Sequence, residues 1–123
     1  MAASKTKLKL IESFHKYNKR YWNSTLPTVP ILIKETSKTY GEYWYPDKKQ
    51  EDTPDQYKII INARMHWRNK KSIRSTLLHE MCHHYIFINN KNLFWNKKII
   101  WHGKEWRREM ERIGFQKPIT RFT

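Results

Sequence analysis

Seven residues, Leu77-Leu78-His79-Glu80-Met81-Cys82-His83, constrain this chain more than any other stretch. Histidines four residues apart act together when the backbone is helical, because four helical steps leave them about 40° and ~6 Å apart on one face. The apolar Leu-Leu pair ahead of them puts the motif in the middle of a helix rather than in a loop. The sequence predicts that helix over residues 71–89, with Ser72 as its N-cap. The single cysteine, Cys82, excludes an internal disulfide framework and a Cys-rich zinc ribbon or finger within these residues. A chain of 123 residues can still bury a real core, about two-thirds of its unfolded surface, without such staples.

The rest of the chain is read around that helix. Leu10, Phe14, Tyr17 and Tyr21 recur at helical spacing and predict a basic amphipathic helix over residues 5–21. Pro27 and Pro30 stop it and frame an extended segment at Ile31, Leu32 and Ile33. Residues 40–45 (YGEYWY), opened by Gly41, read as a second strand. Residues 57–62 (YKIIIN) read as a third, whose continuous Ile run implies burial on both faces. A polar loop at 47–55 separates the two. Residues 89–101 read as a polar-aromatic connection, and 104–113 as a last helix ended by Gly114 at C′. The expectation is one α+β domain over residues 1–123: an N-terminal helix, a small three-stranded, mostly antiparallel sheet, the motif helix and a C-terminal helix.

Two imidazoles on one helical face can bind a single Zn²⁺ through nitrogen at about 2.0–2.1 Å. Glu80, one step round from His79, can reach a water held by the metal and exchange protons with it without itself being a ligand. A catalytic zinc takes three protein ligands and keeps a fourth position open. His102, at the mouth of the last helix, leads for the third place, with Glu105 and Glu109 as rivals. His84 points about 100° away from His83 and cannot share the metal. His15 and His66 have no motif around them and read as surface or core histidines.

Together, HEMCHHYIF and the later HGKEW segment resemble the SprT-like zinc metalloprotease domain, the group of bacterial SprT and eukaryotic Spartan. The resemblance covers most of the chain, including FHKYNKRYW at 14–22, the strand led by Gly41, the strand around Ile60 and the Leu77-Leu78 lead-in. It implies one zinc per chain held by His79, His83 and His102, with Glu80 catalytic. It also implies a zincin-like fold and a peptidase cutting proteins in contact with DNA, such as DNA–protein crosslinks. Tyr85 falls where the family often has an aromatic. Two departures stand out: the His83–His102 connection is longer, with residues 89–96 inserted, and no zinc ribbon follows within the sequence to Thr123.

Charge bears on the partner. Lys and Arg number 25 against 11 Asp and Glu, a net +14. The 64–74 run holds Arg64, Arg68, Lys70, Lys71 and Arg74 with no acid, and Lys97, Lys98, Lys104 and Arg107 follow. Such an excess favours a non-specific, phosphate-mediated DNA contact. Phe94, Trp95, Trp101 and Trp106 offer stacking faces for single strands, or else pack the core. Tyr85 either donates a hydrogen bond to a developing oxyanion or packs on the first helix. Cys82 reads as a small buried residue. No signal peptide or bilayer-spanning run is present, so the expected compartment is the cytoplasm, at the nucleoid or, for a phage-encoded chain, in the host cell or virion. The function expected is zinc-dependent endopeptidase. The alternative is a non-enzymatic basic zinc- or DNA-binding protein that keeps the fold; the Glu80 carboxylate speaks against it, since a structural zinc does not need it.

Overall fold

The computed structural model describes residues 2–35, 39–64, 66, 73–98 and 103–114. In chain order these form α1 (Ala2–Trp22), β1 (Ile31–Ile33), β2 (Gly41–Trp44), β3 (Lys58–Ile61), α2 (Ile73–Asn89), α3 (Lys91–Trp95) and α4 (Lys104–Arg112). Two 3-10 turns, Lys49–Glu51 and Pro54–Gln56, carry the loop between β2 and β3. The α+β architecture read from the sequence is the one observed.

Hydrophobic periodicity explains α1. Leu10, Phe14 and Trp22 are buried at fourfold spacing, while Tyr17 and Tyr21 flank them half-buried. Asn18 lies in the same stripe because its side chain clamps the returning chain, donating to the Leu26 carbonyl at 2.8 Å and accepting from the Leu26 N–H at 3.1 Å. Asn23 and Ser24, both at positive φ, reverse the backbone between these points.

The sheet has the order β1-β3-β2. β3 runs parallel to β1 (Ile31 beside Ile59) and antiparallel to β2 (Gly41 beside Ile61), so the sheet is mixed rather than mostly antiparallel. A central strand packed on both faces needs apolar residues throughout, and Ile59, Ile60 and Ile61 are all buried.

α2 crosses the core. Every residue from Thr76 to His84 is buried, so this helix has no solvent face over its middle. The stretch expected to be a plain connection contains the short helix α3, which drops Phe94 into the core against Tyr45 and Phe87. α4 closes with Ile113 as its C-cap and Gly114 at φ 105, the left-handed position predicted for that glycine. No helix among the described residues is long and apolar enough to cross a membrane.

Candidate metal centre

His79 and His83 project from the buried middle of α2 and bring their Nε2 atoms to 3.2 Å. One ligand atom from each of His79, Glu80 and His83 lies within 4.8 Å of the others, and all three side chains are buried. Two nitrogens sharing one zinc at 2.0–2.1 Å with tetrahedral angles must stand roughly 3.3 Å apart. The observed separation meets that requirement, and imidazole nitrogens are suited to zinc. The residues present fit the ion.

Two elements hold this cluster in shape. Trp106 of α4, itself buried, lies parallel to the His83 ring at 5.4 Å and edge-on to the His79 ring at 4.7 Å. It walls the pair with apolar surface and limits how either ring can turn. On the other side, Gly41 lets β2 press against α2. A Cβ there would stand 2.6 Å from Thr76 Cγ2 and 3.1 Å from Glu80 Oε2. The glycine is needed for this close approach of strand to helix, which puts the end of β2 beside the Glu80 carboxylate.

His84 is spoken for. Its Nε2 donates to the Pro27 carbonyl at 2.8 Å, so in the neutral ring Nδ1 accepts from the Tyr43 hydroxyl at 2.7 Å. Burial pushes its pKa down to about 4 and pushes the Tyr43 phenol up. Burial likewise raises the Cys82 thiol well above its ordinary value, so this residue is a packed small side chain rather than a reactive thiol. His66 is buried against Tyr40 and His15 is exposed, as the core and surface readings had them.

Of the rivals for the third ligand, Glu109 is engaged elsewhere. Its Oε2 accepts from Trp22 Nε1 at 2.5 Å, and Arg112 grips both oxygens at 2.8 Å while also reaching the Tyr21 carbonyl. That network ties α4 to the end of α1. Among the described residues neither Glu105 nor Glu109 joins the histidine cluster. His102 lies outside the described residues, as do Trp101, Ser72, Arg68, Lys70 and Lys71.

Tyr85 goes to the first helix, not to the histidines. Two positions past His83 it is turned about 200° round α2, and its ring stacks on Trp22 at 5.9 Å. Of the two readings of Tyr85, packing on the first helix is the one observed. The aromatics at the described positions take part in core packing, the other of their two readings. Phe94 and Trp106 are buried, and Trp95 packs edge-on against Phe87 while donating to the Pro46 carbonyl at 3.0 Å. Arg64, Arg74, Lys97, Lys98, Lys104 and Arg107 are exposed; Arg64 lies 3.6 Å from Glu35 in a solvent-facing pair.

The family model described as SprT-like matches residues 10–122. The chain belongs to the SprT-like family. Comparison with curated proteins and with solved structures yields no match. In this SprT-like chain the family match spans both the histidine helix and α4. Sequence reasoning missed two residues of the site. Trp106 stood in the HGKEW segment but was read as a stacking face or a core residue, because spacing along one helix says nothing about which rings it meets on another. Gly41 was read only as a strand opener; nothing local in the sequence marks that a Cβ there would meet Thr76 Cγ2 at 2.6 Å.

Proposed function

We propose that this chain is a zinc-dependent endopeptidase that acts on proteins held on DNA. The observation that carries the reading is the buried cluster itself: two imidazole Nε2 atoms 3.2 Å apart with a carboxylate in the same 4.8 Å group. A bound zinc ion supplies Lewis acidity that polarises a carbonyl and makes water more acidic. His79 and His83 hold it. His102 is the third protein ligand in this reading, since it stands two residues ahead of α4, whose Trp106 lies against both imidazoles. Glu80 takes a proton from the attacking water and returns it to the amine nitrogen as the C–N bond breaks. Trp106 and the surrounding core keep bulk water from one side of this exchange, where charges then interact more strongly. An extended substrate adds to the outer edge of β2, the strand that touches Glu80, through backbone hydrogen bonds that tolerate many sequences. The net charge of +14 and the exposed Arg64, Arg74, Lys97, Lys98, Lys104 and Arg107 support a phosphate contact without sequence preference, and Arg68, Lys70 and Lys71 extend the same run of sequence.

The test is proteolysis of a panel of denatured and DNA-bound proteins, with and without DNA and chelator. Cleavage abolished by chelation, and stimulated by DNA at low salt but not at 0.5 M salt, is expected. No cleavage anywhere in the panel overturns the peptidase reading. Cleavage indifferent to DNA removes the DNA part alone.

A further inference from the structure

The strand beside Glu80 carries an acid where a basic chain would ordinarily put a lysine. In the β2–β3 register Gly41 pairs with Ile61, Glu42 with Ile60, Tyr43 with Ile59 and Trp44 with Lys58. The Asn62 N–H donates to the Tyr40 carbonyl at 2.9 Å, which makes Tyr40, Glu42 and Trp44 the positions bonded to β3. Gly41 and Tyr43 therefore turn their N–H and C=O groups away from β3, along the outer edge; the Gly41 carbonyl also accepts from Thr39 Oγ1. An antiparallel peptide taken up on that edge bonds to Gly41 and Tyr43 and sets one residue directly opposite Glu42.

Side chains directly opposite one another share a face of the sheet. Gly41 and Tyr43 face α2, through Thr76, Glu80 and His84. Glu42 and Trp44 occupy the other face. There the Trp44 indole N–H donates to Glu42 Oε1 at 2.9 Å and orients the carboxylate, while Lys58 Nζ sits 4.3 Å from the Trp44 ring centroid. Trp44 remains 49% exposed. A substrate side chain opposite Glu42 has its Cβ about 5 Å from that of Glu42. Lys58 is a strand further away, and its charge is already seated on the indole. Among the described residues on this face of β2, the charge next to that position is the Glu42 carboxylate, although the molecule carries a net +14. Edge strands are commonly guarded by lysine, and this chain has 25 basic residues against 11 acidic to draw on.

We propose that Glu42, oriented by Trp44, selects extended substrate segments with a lysine or arginine opposite it. The inference rests on the peptidase reading and names its substrate class: basic, extended segments of the kind that proteins bound to polyanions present.

The experiment uses labelled ten-residue peptides identical except for a Lys, Ala or Glu stepped through each position. Their binding to the zinc-loaded Glu80→Gln protein is measured by anisotropy at 0.15 M salt. At one position the Lys peptide should bind roughly five- to tenfold tighter than its Glu counterpart. Adding Glu42→Gln, which keeps an acceptor for the Trp44 N–H, should bring that ratio to about one; adding Glu51→Gln, an exposed acid elsewhere, should leave it. The overall charge alone favours the Glu peptides, so a Lys preference has to be local. Absence of a Lys preference at every position, or its persistence with Glu42→Gln, overturns the inference. Cleavage of the Ala peptides by wild type is scored separately. Lys selection without any cleavage leaves Glu42 its role and defeats the peptidase reading.

Discussion

Gly41→Ala probes the contact that sets β2 against the motif helix. The added methyl would lie 2.6 Å from Thr76 Cγ2, 3.1 Å from Glu80 Oε2 and 3.1 Å from the Ile60 carbonyl oxygen. Ordinary contacts of this kind are 3.4 Å or more, so the methyl-to-methyl approach is short by nearly 1 Å. Neither side yields easily: Ile60 belongs to the central strand and Thr76 to a helix buried over its middle. Overpacking of this sort costs about 1–3 kcal/mol, and we take about 2. At about 2.1 cal/mol/K per residue, a chain of 123 residues has an unfolding entropy near 0.26 kcal/mol/K, so Tm should fall by about 8 °C. Thr76→Ser removes the offending Cγ2 and keeps the hydroxyl. The double variant should therefore recover most of the Tm. Its peptidase rate should stay about tenfold low, because the methyl still crowds Glu80 Oε2. Thermal melts and peptide cleavage of the four proteins complete the cycle. A Gly41→Ala melt within 1 °C of wild type, or a loss of stability that Thr76→Ser leaves untouched, would refute the packing argument.

Other outcomes follow from single contacts. His84 has a folded pKa of about 4 against an ordinary 6.5, so the unfolded chain takes its proton first as pH falls. Its contribution is whole above about pH 6.5 and drains away towards pH 4, with about 2 kcal/mol lost by pH 5; denaturant melts in chelator should therefore lose stability less steeply over this range in His84→Gln than in wild type. Glu109→Gln breaks the bidentate grip of Arg112, which is half exposed, and should cost about 1–2 kcal/mol with zinc content unchanged. Loss of zinc in that variant would return Glu109 to the ligand set. His102→Ala should reduce bound zinc sharply by elemental analysis, and full retention would remove it from the set.

The sequence carried the elements whose periodicity is local. The α1 stripe, the Ile run of β3 and the paired histidines of α2 each reflect one repeat on one face, and each appears where it was expected. What depended on distant partners was harder to read. Trp22 rather than Tyr21 is the buried anchor at the end of α1, and its indole donates to Glu109, 87 residues away. Tyr85 falls two positions past His83, yet the stack with Trp22 claims its ring. The direction of β1 was not legible, since strands of three residues show burial but not the sign of pairing. Phe94 looked like a loop aromatic until α3 turned it inward.

The proton transfer assigned to Glu80 is measured as a cleavage rate at matched zinc. Wild type and Glu80→Gln are brought to equal zinc content, and cleavage of the same denatured protein is followed. About one zinc per chain is expected in both, with an unchanged melt and a rate at least about 10²-fold lower in the variant. Equal rates at equal zinc would contradict the Glu80 assignment, because no proton transfer would then depend on the buried carboxylate beside His79.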